Sequence, residues 1–273
     1  MTNENITPQL ITSLQNPRVK QLVALQQKSA ERRRTGLFVV EGHRELDHCL
    51  EGGFSIDAVF FCPAIGTPQA SLSSLQSLLP PSVQLVEVTA EVYAKMAYRS
   101  TTEGIIALAR SRQLRLDDLK LSASPLIMVV ESVEKPGNLG AILRSADAAA
   151  ADAVVVCDPL TDLCNPNLIR SSVGAFFSVP TVACTSDECI RFLRQRNIAI
   201  LTAQLQDSAL YYDTDMRRPT AIVMGTEATG LTPQWRQAAD AHIRIPMLGR
   251  IDSLNVSVSA AILLFEAVRQ RRA

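Results

Sequence analysis

The sequence predicts an α/β protein of two domains, and three observations predict it. Short apolar runs alternate with amphipathic helical patterns along the chain. The runs of the second half are apolar throughout, which suits a parallel sheet covered on both faces. Between the halves, residues 111–124 are polar and charged and end in Ser122, Ala123, Ser124 and Pro125, a linker composition. We therefore expect a smaller domain at 1–112, a linker at 113–124 and a larger domain at 125–273. A chain of 273 residues is long for one average domain and short for three.

In the first domain, residues 13–35 read as one helix, with Pro17 near its start and Val19, Leu22, Val23 and Leu25 on one side. Gly36 ends it, and residues 37–40 read as a buried strand. An amphipathic helix follows through Leu46 and Leu50, closed by Gly52 and Gly53. Strands are expected at 56–61, 84–88 and 105–109, and a weak helix at 71–79 before Pro80. In the second domain, strands are expected at 126–130, 153–157, 179–182, 199–202 and 221–224. Helices are expected at 139–150, 167–177, 187–196 and 257–271. The last carries Ala260, Ala261, Leu264 and Val268 along one stripe, which fits a dimer surface or an internal core equally well.

Composition excludes several classes. A hydrophobic fraction of 47% and a charged fraction of 20% describe a globular chain, not a disordered one. No apolar run reaches the length of a membrane helix, and residues 1–7 offer neither a basic nor an apolar targeting segment. The expected location is the cytoplasm. Six cysteines are scattered without CxxC spacing, and His43, His48 and His242 do not group with them, so no metal is expected. Net charge is zero. Locally, however, residues 1–40 hold Arg18, Lys20, Lys28, Arg32, Arg33 and Arg34 against Glu4 and Glu31. That basic arm is a solvated surface or a phosphate contact.

Three loops carry the chemistry. The first runs from Glu131 to Arg144 between a strand and a helix, with Gly137, Asn138 and Gly140 inside it. It lacks the third glycine of a dinucleotide fingerprint and the lysine of a P-loop, which excludes an ordinary nucleotide-binding oxidoreductase. With a helix starting near Leu139, Arg144 could lean back so that its guanidinium meets the Asn138 amide over one pocket. The second places Glu227 between Gly225 and Gly230, after a buried strand; its carboxylate could cap a helix, pair with a cation or bind a hydroxyl. The third sets Ile245, Pro246 and Met247 before Ser253, Leu254, Asn255, Val256 and Ser257. A helix cap accounts for one of these polar residues and leaves the others unexplained.

In this order the loops resemble the three motifs of the SpoU (TrmH-like) branch of the SPOUT methyltransferases. N-x-G-x-x-x-R is met by Asn138, Gly140 and Arg144, and G-x-E-x-x-G-L by Gly225, Glu227, Gly230 and Leu231. The third, I-P-M followed by S-L-N-V-S, is met from Ile245 to Ser257. Ala228 departs from the glycine of many members and removes no functional group. The first domain, with the stretch from Phe38 to Arg44, looks like the ribosomal-L30-like substrate-binding domain attached to this branch.

The resemblance implies a deep trefoil knot in the carboxyl-terminal parallel-sheet domain and methyl transfer from S-adenosylmethionine to a ribose 2′-hydroxyl of RNA. Ribosomal RNA is favoured over tRNA, and the site is built at a homodimer interface. It assigns the cofactor to Gly225, Ile245 and Leu254, with Thr202 as a weaker candidate, and catalysis to Arg144, Asn138, Glu227, Ser253 and Asn255. It also favours RNA contact by Arg18, Lys20, Arg32, Arg33 and Arg34. A non-catalytic RNA-binding protein on the same scaffold is the alternative. Against it, a retired site has no physical need for all five catalytic candidates.

Overall fold

The computed structural model describes residues 8–98, 103–226 and 229–272. The chain divides into two compact units. One is the chain up to Arg112 with Cys164–Pro166, and the other is Gln113–Leu163 with the chain from Asn167 onward.

The first unit is a mixed five-stranded sheet with helices. Strand β1 (Gln9–Ile11) precedes α1 (Pro17–Gln27) and α2 (Ser29–Thr35). Asn16 caps α1, accepting a bond from the Arg18 amide at 2.9 Å, and Pro17 takes the first position, where no N–H is missed. The single helix expected at 13–35 is two helices. Lys28 is extended, and the Arg32 guanidinium folds back to donate to the carbonyls of Leu25 at 2.5 Å and Gln26 at 3.2 Å. It thereby satisfies the carbonyls that the end of α1 leaves open. Gly36, with φ of 65°, ends α2 in the left-handed conformation.

Then come β2 (Leu37–Glu41), α3 (His43–Glu51), β3 (Ile56–Phe61), α4 (Leu72–Leu78), β4 (Gln84–Val88), α5 (Ala90–Met96) and β5 (Ile105–Arg110). The sheet order is β1-β4-β3-β5-β2, with β5 antiparallel to both its neighbours. Strand β1 and helix α5 were not expected from the sequence.

The second unit carries an all-parallel sheet of seven strands. These are β6 (Leu126–Glu131), β7 (Ala153–Cys157), β8 (Thr181–Cys184), β9 (Ala199–Ala203), β10 (Ala209–Leu210), β11 (Thr220–Met224) and β12 (Ala241–Arg244). Their order is β10-β12-β9-β11-β6-β7-β8. The helices are α6 (Pro136–Ala148), α7 (Pro166–Ser172), α8 (Ala175–Ser178), α9 (Ser186–Gln195), α10 (Pro233–Ala238) and α11 (Val256–Arg272).

Part of the stretch expected as linker packs on this unit, with Leu119 buried in its core and Leu116 and Leu121 against it. The helix expected at 167–177 breaks at Val173 and Gly174, both at positive φ. Strand β8 starts at Thr181, later than expected, because Pro180 has no N–H for the ladder.

Two features position the loops. Gly140 lets α6 lie on α7: a Cβ there would sit 2.7 Å from the Leu168 carbonyl and collide with the Ser171 hydroxyl. Helix α11 returns to pack on α6, β6 and β11. At its end the Arg271 guanidinium donates to the carbonyls of Ser124, Pro125, Met216 and Arg218 at 2.6–3.1 Å. The chain end is thus tied to the starts of β6 and β11. Among the described residues no helix is long and apolar enough to cross a membrane.

Candidate active site

The open cleft of the second unit lies at the carboxyl ends of β9, β11 and β12, beside the point where the strand order reverses. Its volume is about 380 Å³, the scale of a small-molecule site. Gly225, Ile245 and Leu254 all line it, together with Gln204, Met247 and Ser253.

Gly225 is required by close approach. A Cβ at this position would collide with the backbone of Gly230, since Thr226 and Gly230 are joined by an isolated antiparallel bridge. Gln204, which the sequence reading missed, sits in the loop after β9. Its Nε2 donates to the Gln206 carbonyl at 2.9 Å, which fixes the amide orientation, and its buried Oε1 has no partner among the described residues. A buried acceptor without a donor costs about 1–3 kcal/mol, so the cleft is built to receive a donor group. An apolar slot with an amide acceptor and closely approached backbone fits S-adenosylmethionine, whose adenosine and amino-acid parts offer several N–H and O–H donors.

A smaller recess of about 140 Å³ adjoins the cleft and shares Gly225, Thr226 and Val256 with it. Asn138 lines this recess. Pro136 opens α6, so Asn138 lies within the first helical turn rather than before the helix. Its Oδ1 accepts from Asn255 Nδ2 at 3.2 Å. Asn255 also caps α11, its Oδ1 accepting from the Ser257 amide at 3.0 Å and the Ser257 hydroxyl at 2.6 Å. The cap and the link to Asn138 are therefore one residue. Ser253, exposed on the cleft rim, donates to Asp252 at 3.2 Å.

Other expectations are corrected. Arg144 does not meet Asn138 over a shared pocket. Six residues apart on a helix, the two lie roughly 120° apart around its axis and about 9 Å apart along it. Arg144 is exposed, with no hydrogen bond or ion pair among the described residues. Thr202 is fully buried and bonds His242 Nδ1 at 2.6 Å; it does not line the cleft. Glu227 and Ala228 lie outside the described residues.

In the first unit, Arg32 is buried in its capping role and cannot reach a phosphate. Arg34 is exposed and paired with Glu31 at 2.5 Å, which lowers the Glu31 carboxyl through the bonded guanidinium. Arg18 is half-buried against Gln84, whereas Lys20 and Arg33 are exposed.

The loop of the second motif is held from below by a buried carboxylate that the sequence reading did not single out. Glu131 ends β6 and accepts from the Thr232 amide at 2.9 Å and the Thr232 hydroxyl at 2.7 Å. Ser186 bridges it to Trp235, whose indole N–H donates to the Ser186 hydroxyl at 2.9 Å. This network anchors the start of α10, immediately after the Gly225–Gly230 turn.

Residues 125–265 match the model of the SpoU rRNA Methylase family, and residues 16–107 that of an MRM3-like substrate binding domain. The chain is 33% identical to a 23S rRNA (guanosine-2′-O-)-methyltransferase, RlmB, of Ralstonia nicotianae, over 80% of this chain and 89% of that protein. It is similar to the crystal structure of an RNA 2′-O ribose methyltransferase, with a TM-score of 0.83 and 40% identity over 97% of this chain and 100% of that one. It is also similar to the SpoU methyltransferase AviRb from Streptomyces viridochromogenes in complex with AdoMet. There the TM-score is 0.86 and the identity 27%, covering 95% of this chain and 99% of that one.

Proposed function

The chain belongs to the SpoU rRNA methylase family, and on that premise we propose that it transfers a methyl group from S-adenosylmethionine to a ribose 2′-hydroxyl of ribosomal RNA. One observation carries this reading. The cleft lined by Gly225, Ile245 and Leu254 opens beside a recess where Asn138 and Asn255, from opposite ends of the domain, are hydrogen-bonded. When bound, the cofactor supplies an electrophilic methyl group on positively charged sulfur.

The chain's own task is the hydroxyl, a poor nucleophile until its developing negative charge is stabilised. Arg144 is suited to hold a substrate phosphate and to stabilise charge at O2′. A guanidinium with a pKa above about 12 is a poor general base. Asn138, Ser253 and Asn255 orient the nucleotide, and Glu227 is assigned to the same group. Gln204 Oε1 accepts a donor of the cofactor. A carboxyl-terminal trefoil knot, with α11 as the returning segment, belongs to the same proposal.

The protein acts as a homodimer, which brings Arg144 to the recess across the interface. Support comes from α11, whose outer face exposes Val258 and Phe265, each 48% accessible, with half-buried Ala261, Ile262 and Val268 beside them. The stripe expected from sequence is thereby divided. Ala260 and Leu264 belong to the core, while Ala261 and Val268 border the outward face. Sedimentation of the wild type should give twice the chain mass, and Phe265→Glu should give the chain mass with methyl transfer lost. A monomeric wild type would overturn the dimer.

The first unit holds the RNA, supported by its match to a substrate-binding domain and by exposed Lys20, Arg33 and Arg34. Replacing Arg33 and Arg34 by Ala should weaken RNA binding and flatten the slope of log K against log salt by about 1–2. Arg32→Ala should instead lower stability by about 1–3 kcal/mol, read by thermal unfolding. In this reading the protein works in the cytoplasm, where ribosomal RNA matures. Incubation with methyl-labelled S-adenosylmethionine and ribosomal RNA from cells lacking the gene tests the function. The label should enter that RNA and not the RNA of cells that carry the gene. Binding of RNA without any incorporation would favour the non-catalytic alternative.

A further inference from the structure

Three of the six cysteines, one from β7 and two from the end of β8 and the helix after it, converge toward the sheet edge away from the cleft strands. Cys157 and Cys184 end β7 and β8 and are direct partners in the parallel ladder, so their side chains leave the same face side by side. Cys189 lies one turn into α9, which covers that face. The three Sγ atoms all lie within 4.8 Å of one another. Sulfur atoms bound at about 2.3 Å around one metal ion are separated by roughly 3.8–4.0 Å, so small side-chain rotations bring this triad to ligand spacing.

We propose that Cys157, Cys184 and Cys189 form a binding site for a thiophilic d10 cation of the zinc class, held by three thiolates. Three protein ligands leave a fourth position for water. Cys157 and Cys189 are buried and Cys184 is half-buried, which gives the ion a route in from solvent. The surroundings favour a positive charge. Asp158 and Glu188 are the charged side chains acting on Cys184. The amino-terminal end of α9, capped by Thr185, stabilises thiolates beside it. On binding, each S–H gives its proton to the buffer as a metal–sulfur bond forms.

Such an ion ties β7, β8 and α9 together at one edge of the sheet. The cleft strands β9, β11 and β12 lie toward the other edge. The site therefore contributes stability and leaves cofactor binding unchanged, and it does not depend on the methyl-transfer reading.

The test uses the full chain, stripped with a chelator under reducing conditions and titrated with Cd2+ and, separately, Zn2+. One equivalent of Cd2+ per chain should produce sulfur-to-metal charge-transfer absorbance with release of protons. Zn2+ should compete for the same site and raise the unfolding temperature. Cys184→Ser and Cys189→Ser should each weaken the apparent affinity by about tenfold or more, because even outer-shell changes around bound metals cost about that much. Cys164→Ser should titrate like the wild type. Retained far-ultraviolet circular dichroism and cofactor affinity show that the variants fold, and half-buried Cys184 tolerates substitution best. Absence of charge-transfer absorbance at one equivalent would overturn the proposal, as would an unchanged titration in Cys184→Ser. Formation of a disulfide among the three thiols in place of metal binding would also overturn it.

Discussion

Arg144→Ala should reduce methyl transfer by about 10²–10³-fold, the loss expected on removing one preorganised stabiliser of developing charge. S-adenosylmethionine affinity should stay within about twofold, because Arg144 is not among the residues lining the cleft. Stability should hardly change, since the side chain is exposed and unpaired among the described residues. An exposed arginine with no partner among the described residues and a large effect on turnover acts through the substrate. Arg144→Lys should recover only part of the rate, as an ammonium lacks the planar fork that grips a phosphate and an oxygen together. Single-turnover assays and calorimetric titration of the cofactor check the two halves separately. Activity equal to wild type in Arg144→Ala would remove the residue from the mechanism.

The second large effect is expected at Gly225. A methyl group there meets the backbone of Gly230 and the Leu231 amide, and backbone cannot rotate away as a side chain can. Overpacking of this kind costs about 1–3 kcal/mol, and the strain falls on the turn that lines the cleft. Gly225→Ala should therefore weaken cofactor binding by about tenfold or more while the sheet persists, because β11 ends at Met224 before the turn begins. Calorimetry with S-adenosylmethionine, alongside circular dichroism, measures both. Unchanged affinity would mean that the turn does not hold the ligand.

What the sequence could reveal divides along physical lines. Strands β6, β7, β9 and β11 were legible because burial on both faces leaves them almost wholly apolar. Strand β12 was not, since only Ile243 of its four residues is buried, and β10 is only two residues long. Periodicity could not show the break between α1 and α2, which depends on one guanidinium reaching back to carbonyls six and seven residues earlier. Gly174 was a visible signal for the break before α8, and Pro136 for the start of α6.

The cleft residues Gly225, Ile245 and Leu254 were implied only by the family resemblance, and all three line the cleft. Gln204 had no motif to mark it, and its significance lies in a buried oxygen without a partner among the described residues. Thr202 lies two residues before Gln204 and is bonded to His242 instead. The cysteine triad could not be read at all. It depends on the register of β7 against β8, which sets Cys157 opposite Cys184 and which neither strand's own sequence announces.

The most direct test of the central claim is the identity of the product nucleoside. Ribosomal RNA methylated by the purified protein should be digested to nucleosides and resolved by mass spectrometry. The account predicts that the label resides in a 2′-O-methylated ribose, and that the modified linkage resists alkaline cleavage. Label found on a base, with the adjacent linkage still cleaved by alkali, would contradict it.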